Sequence, residues 1–170
     1  MEDYTQTMNE ERGPRPGFLT TLCVLTFIST GLSTISNLFS LIAGPLSDEQ
    51  LKDVQVTMME FADQMKSANL DSVAEVYEKL FRIQEATNAN HYAFVLSTLV
   101  ILGVGIFAAI KMMKGSKLGF HLYIIYSLLS VVQLYFFVSA SIIPTFMVVT
   151  NLVFALLFIF LYSRNLKWMR

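Results

Sequence analysis

The chain alternates between two kinds of hydrophobic pattern. Residues 18–43, 91–113, 118–138 and 144–163 are long runs dominated by apolar residues. Residues 44–90 are instead polar, with apolar positions only at intervals. About 20 helical residues cross a hydrocarbon core ~30 Å thick, so each of the four long runs is a candidate span. Between Leu118 and Ser163 there is no Asp, Glu, Lys or Arg. That stretch suffices for two crossings with the short turn "SASIIP" between them. The runs are near 20 residues and lack strict alternation, which predicts helices and not barrel strands. The expected fold is therefore all-α: an integral membrane four-helix bundle with an extramembrane helical hairpin between spans 1 and 2.

The polar insert 44–90 is too long and too regular for a plain loop. After the Gly44-Pro45 break, Ser47 and Gln50 have capping-box spacing. Leu51, Val54, Met58, Phe61 and Met65 follow at intervals of 3, 4, 3 and 4, a helical seam. "SANLDS" interrupts the seam, and Ser72 with Glu75 offers a second capping box. Val73, Val76, Leu80 and Ile83 then repeat the spacing. Two helices with facing seams make a hairpin. No Gly or Pro occurs between Asp71 and Leu102, so the second hairpin helix is expected to run unbroken into span 2. The seam through Met58, Phe61 and Met65 has two uses open to it: the hairpin's own small core, or a docking face for a partner protein.

Charge sets the orientation. Eight of the twelve basic residues fall in the N-terminal flank, in "KMMKGSK" and in the C-terminal tail, while the insert carries nine acidic residues. Excess Lys and Arg mark cytoplasmic segments. The tails 1–17 and 164–170 are therefore expected in the cytoplasm and the hairpin outside it. Tyr162 and Trp168 are expected in an aromatic belt at the inner interface, with His91 and Tyr92 at the outer one. The first apolar run is too long for a signal peptide, and "LIAG" puts Leu41 and Ile42 where a cleavage site wants small residues. It is read as a retained anchor. A net charge of −1 gives no reason to expect a nucleic-acid partner.

Composition narrows the chemistry further. No ionisable Asp, Glu, Lys or Arg is expected at membrane depth, which argues against proton relays and voltage sensors. Span 1 is rich in hydroxyls, with Thr26, Thr30, Ser33, Asn37 and Ser40 on one face. Span 2 has small residues at Gly103, Gly105, Ala108 and Ala109. Such pairs let helices approach closely, and a polar groove is the alternative use of the same face. Tyr126, Ser130 and Gln133 share a face of span 3, and Asn151 lies mid-span in span 4; a Gln–Asn or Tyr–Asn bond between those helices is expected. The intramembrane polar set is thus Thr30, Ser33, Asn37, Tyr126, Gln133 and Asn151. His91 and His121 fall at opposite ends of their spans, so no haem pair is expected. No phosphate loop, HExxH or CxxC occurs, and Cys23 reads as a small hydrophobe. No cofactor, metal site or catalytic set is expected.

The opening "RPGFLTTLCVLTFISTG", from Arg15 to Gly31, resembles the start of small four-helix inner-membrane proteins of Bacteroidota. The resemblance implies a Gram-negative inner membrane and places the hairpin in the periplasm; it carries no functional residues. With one cysteine, the disulfide-bearing loops of tetraspanins and claudins are excluded. The leading expectation is a non-catalytic accessory subunit or assembly factor of a larger membrane complex. It would be surrounded by lipid and present the acidic hairpin through Leu51, Val54, Met58, Phe61 and Met65 to a membrane or periplasmic protein, or act as a homo-oligomer. The alternative is a small-molecule or lipid transporter or channel using the hydroxyl face of span 1.

Overall fold

The computed structural model describes residues 13–170, and most of the polar tail 1–17 lies outside them. Among the described residues there are six α-helices: α1 Gly17–Ala43, α2 Asp48–Ser67, α3 Asp71–Ala89, α4 His91–Met113, α5 Lys117–Val132 and α6 Thr145–Ser163. Four of them, α1, α4, α5 with its 3-10 extension, and α6, are long and apolar enough to cross a membrane. The other two form the hairpin.

Local chemistry sets the ends. Pro16 precedes α1 with φ −57° and disfavours helix at Arg15. Gly44 stops α1 at φ 79°, a conformation that favours glycine. The capping box forms: the Gln50 amide donates to Ser47 Oγ at 3.3 Å, and the Ser47 amide to Gln50 Oε1 at 2.9 Å. The expected second box, Ser72 with Glu75, does not. At the end of α2, Asn69 turns left-handed (φ 59°), and the Leu70 and Asn69 amides return to the Met65 and Lys66 carbonyls. This Schellman turn delivers the chain into α3 at once. Leu70 takes the cap position, and Ser72 falls inside the helix.

The hairpin closes on itself. Its sealed residues are Ala62, Ala74 and Phe81. Leu51, Val54, Met58 and Met65 are partly buried along the same seam. The seam passes through Ala62 rather than Phe61, because a small residue lets α2 and α3 approach. Phe61 sits at the margin and stacks on Tyr77 with ring centroids 5.7 Å apart. Lys66 Nζ meets Glu78 Oε1 at 2.8 Å across the hairpin. That hydrogen bond, reinforced by its charge, holds the Glu78 carboxyl below and the Lys66 ammonium above their ordinary ranges.

The expected continuous helix from α3 into α4 is interrupted at Asn90 (φ −111°, ψ 28°). Contacts with the first connection bracket the break. Asn88 grips both backbone groups of Leu46, at 2.7 and 3.1 Å. The His91 ring meets the Ser40 carbonyl at 3.0 Å. The base of the hairpin is thus stapled to the end of α1, and the helix bends where the staples hold it.

In the bundle, α1 packs on α4, α4 on α5 and α5 on α6; α1 and α6 meet at only a few positions. The third span also differs from expectation: α5 ends at Val132 and tightens into a 3-10 turn, Gln133–Phe136, short of residue 138. At that point the Gln133 amide reaches α4, donating to Ser97 Oγ at 2.8 Å and Thr98 Oγ1 at 2.6 Å.

The core lies at the end that carries both tails and the α4–α5 turn. Leu19, Leu22, Cys23, Ala108, Met112, Phe120, Tyr123, Tyr162 and Met169 form one cluster. Tyr162 is fully buried there, not in an interfacial belt. Trp168 is partly buried and donates to the Gly13 carbonyl at 3.0 Å. Residues 164–170 are not a loose tail. The Arg170 amide donates to the Gly115 carbonyl at 2.8 Å, and the Lys117 amide to the Arg170 carbonyl at 3.0 Å.

Candidate functional site

Spans 1, 3 and 4 line an open cleft of about 410 Å³ on the side of the bundle. From α1 come Thr26, Ser29 and Thr30; from α5, Tyr123, Tyr126, Ser127 and Ser130; from α6, Asn151. Leu25, Val131, Phe154, Ala155 and Phe158 complete the wall. The helical repeat accounts for the α5 contribution: positions 123, 126, 127 and 130 share one face at spacings of 3 and 4. A smaller cavity of about 160 Å³ shares Ser130, Val131 and Asn151 with the first. It continues toward the hairpin end beneath Ile143 and beside Gln133. Together they make a groove whose open side is the gap between α1 and α6.

The ends of the groove are unlike. Thr26 Oγ1 and the Tyr162 hydroxyl lie 2.8 Å apart, joining α1 to α6 at the packed end. Farther along, nothing comparable joins them. Asn151 is exposed, and its carboxamide has no hydrogen-bond partner among the described residues. Ser29, lining the same cleft from α1 less than a turn beyond Thr26, is likewise without one. Moving an amide into an apolar medium with no partner costs on the order of 2–7 kcal/mol. An amide at this depth is therefore a strong reason for a polar group to settle beside it.

The other hydroxyls are directed differently. Thr30 Oγ1 donates to the Thr26 carbonyl at 2.7 Å, and Ser130 Oγ to the Tyr126 carbonyl at 2.8 Å. Their protons are committed to their own helices, but their oxygens remain acceptors. Tyr126 is held by a glycine: a Cβ at Gly105 would come within 2.8 Å of its ring. Gly105 thus lets the ring lie against α4 while bordering the cavity. No residue lining either cavity carries a charge.

The structure divides the polar residues expected from sequence. Thr30, Tyr126 and Asn151 come together around the groove. Ser33 and Asn37 do not line it; Asn37 Nδ2 returns to the Ser33 carbonyl at 2.8 Å. Gln133 is buried against α4, so the expected Gln–Asn bond is replaced by its bonds to Ser97 and Thr98. The hydroxyl face of α1 does little cross-helix bonding. Thr30 and Thr34 bond back one turn, an option always open to Thr in a helix. The small residues of α4 also divide. Gly103 faces open space, whereas Ala109 offers its carbonyl to Cys23 Sγ at 3.8 Å. Tyr123 and Ser127 were missed in the sequence, although they extend the stripe of Tyr126 and Ser130 by one turn.

A second cleft of about 310 Å³ lies between the hairpin and the α5–α6 turn, lined by Glu75, Glu78, Lys79, Arg82, Ser141 and Ile142. Its carboxylates are engaged, Glu78 by Lys66 and Glu75 by Lys79 at 2.7 Å. Among the described residues no three His, Cys, Asp or Glu side chains gather as a metal site.

Comparison with protein-family models, with curated proteins and with solved structures gives no match for this chain. The functional reading therefore rests on the groove and on the hairpin.

Proposed function

We propose that the protein binds, without converting, a membrane-dissolved molecule in the groove between spans 1, 3 and 4. The observation that carries this reading is Asn151, an unpartnered carboxamide at the junction of two cavities facing a hydroxyl-bearing wall. An occupant that hydrogen-bonds the carboxamide removes the cost of leaving it bare. The gap between α1 and α6 provides lateral access from the bilayer. In this reading the basic end, with Arg15, Lys111, Lys117, Arg164 and Lys167, faces the cytoplasm of a Gram-negative cell and the hairpin faces the periplasm.

The test is to extract the protein in native lipid discs and profile the lipophilic molecules that come with it, using Asn151→Leu as the control. One species retained by the wild type and depleted in the variant is expected. Identical profiles would remove the basis of the reading. Orientation is checked with an impermeant thiol reagent: Asp63→Cys should label in intact spheroplasts, and Lys167→Cys only after lysis.

A second reading, an accessory subunit docking a partner through the hairpin, is favoured by one observation. Val56 and Met59, one turn apart on α2, lie exposed outside the self-buried seam, while Phe61 lies on the other flank against Tyr77. The docking face would then be this outer strip, with Leu51, Val54, Met58 and Met65 serving as hairpin core.

A further inference from the structure

We infer that the groove selects lipids with an uncharged, carbonyl- or hydroxyl-bearing head and disfavours phospholipids. The inference rests on the groove reading and specifies its ligand class. Three observations carry it. The first is electrostatic: no Lys, Arg or His lines either cavity, so a phosphate drawn inside would meet no counter-charge. A phosphate there would lose its hydration without compensation. The second is depth. Asn151 lies six residues along α6 from Thr145, about 9 Å below the end of that helix at 1.5 Å per residue. Ser29 lies twelve residues along α1 from Gly17, about 18 Å from the start of that helix. The polar part of the groove is therefore well inside the hydrocarbon, where an uncharged head can travel and an ionic one stays at the surface.

The third observation is the donor and acceptor pattern. Asn151 offers an N–H pair and a carbonyl, and Ser29 a free hydroxyl. Thr30 and Ser130 offer only acceptor oxygens, their protons being committed. A carbonyl head is met by the Asn151 amide or the Ser29 hydroxyl, and a hydroxyl head by any of the four. The aromatic walls, Tyr126 and Phe154, suit the apolar remainder of the head, and the tail leaves through the gap between α1 and α6. Diacylglycerols and prenylquinones share this chemistry.

The experiment is native mass spectrometry of the full chain in detergent, titrated separately with dioctanoylglycerol, a short-chain ubiquinone and dioctanoyl phosphatidylglycerol. Wild type is expected to hold one neutral probe per chain, and Asn151→Leu to lower that occupancy roughly fivefold to tenfold, as loss of one buried hydrogen bond implies. Phosphatidylglycerol adducts should be non-stoichiometric and indifferent to the substitution. Which neutral probe binds more tightly separates the two sources. If phosphatidylglycerol alone gives a one-to-one adduct sensitive to Asn151→Leu, the neutral-head inference is overturned and the groove reading stands. If no probe responds to the substitution, both fail. Should Asn151→Leu not fold, a diazirine-bearing diacylglycerol serves with the wild type. Labelling within 26–30 or 151–158 supports the inference, and labelling confined to other helices overturns it.

Discussion

The two ends of the seam between α1 and α6 obey different rules. At the basic end Tyr162 and Met112 are sealed, Thr26 bonds Tyr162, and Met169 is tucked beneath them by the Arg170–Gly115–Lys117 backbone clamp. Three turns farther along α6, Asn151 borders the groove, and less than a turn beyond Thr26 on α1 so does Ser29, neither with a hydrogen-bond partner among the described residues. The packed end joins α1 to α6 through a side-chain bond; in the groove Thr30 and Ser130 bond only back to their own helices, and Asn151 and Ser29 have no partner among the described residues. Lipid tails are as apolar as leucine, so tight packing in a bilayer depends on shape and on hydrogen bonds. Both are concentrated at one end of this molecule.

Two glycines on neighbouring helices give the most forceful way to probe that contrast. A Cβ at Gly119 would meet the Met112 amide nitrogen at 2.5 Å and the Ala108 carbonyl oxygen at 2.7 Å, backbone atoms that cannot turn aside. Gly119→Ala should cost roughly 3 kcal/mol, the upper part of the range for overpacking. Thermal unfolding in detergent would show it as the largest loss of the set, and an unchanged melt would mean that the packed end is softer than described. At Gly105 the obstacle is the Tyr126 ring, which borders a cavity and can move into it. Gly105→Ala should therefore cost about 1 kcal/mol and reduce ligand occupancy by narrowing the groove. Equal damage from the two substitutions would erase the distinction between the ends.

Smaller changes sharpen it. Tyr162→Phe removes the Thr26 bond and should lower stability by about 1 kcal/mol, leaving ligand binding unchanged. Asn151→Leu should do the reverse: stability held or raised by up to about 1 kcal/mol, with binding reduced. Measuring melting and probe occupancy side by side for both variants checks the crossing pattern.

The smallest effect belongs to the hairpin. Glu78 is held below its ordinary carboxylate range, so its pair with Lys66 contributes above that ordinary value, 4.5, and fades as pH falls through the lower folded value. For Lys66 the sign is opposite: its share is present below 10.5 and fades as pH rises through the raised folded value. Between these limits the pair is intact. Both groups are exposed, so the consequence is local. Hydrogen exchange in α2 and α3 should be flat from about pH 5 to 9 once corrected for intrinsic rates, and protection should decline only as pH falls below the ordinary value of 4.5. A decline centred near neutral pH would point to a different pair.

Sequence carried the architecture because hydrophobic period and length are strong signals. The four spans, the insert and the Ser47 capping box all follow from patterns within one helix. The misplacements have a common cause in contacts between distant segments. No local pattern reveals that Asn88 and His91 hold Leu46 and Ser40, so the break at Asn90 was not foreseen. Gln133 looked toward Asn151 because both are amides on neighbouring spans, yet its neighbours proved to be Ser97 and Thr98. Phe61 fitted the seam by spacing, but Ala62 allows the closer approach. For the groove, Thr30, Tyr126 and Asn151 were legible as polar residues at depth. Their meeting around one cavity depends on α1 and α6 diverging, which helical spacing cannot encode.

The decisive measurement is an electron cryo-microscopy map of the protein in lipid nanodiscs, enlarged by a bound antibody fragment. The expected map has α1 and α6 joined at Thr26 and Tyr162, parted at Asn151, and non-protein density against the Asn151 carboxamide. A map in which α1 and α6 close along their whole length, with Asn151 bonded to Ser29 or Ser130 of its own chain, would contradict the reading.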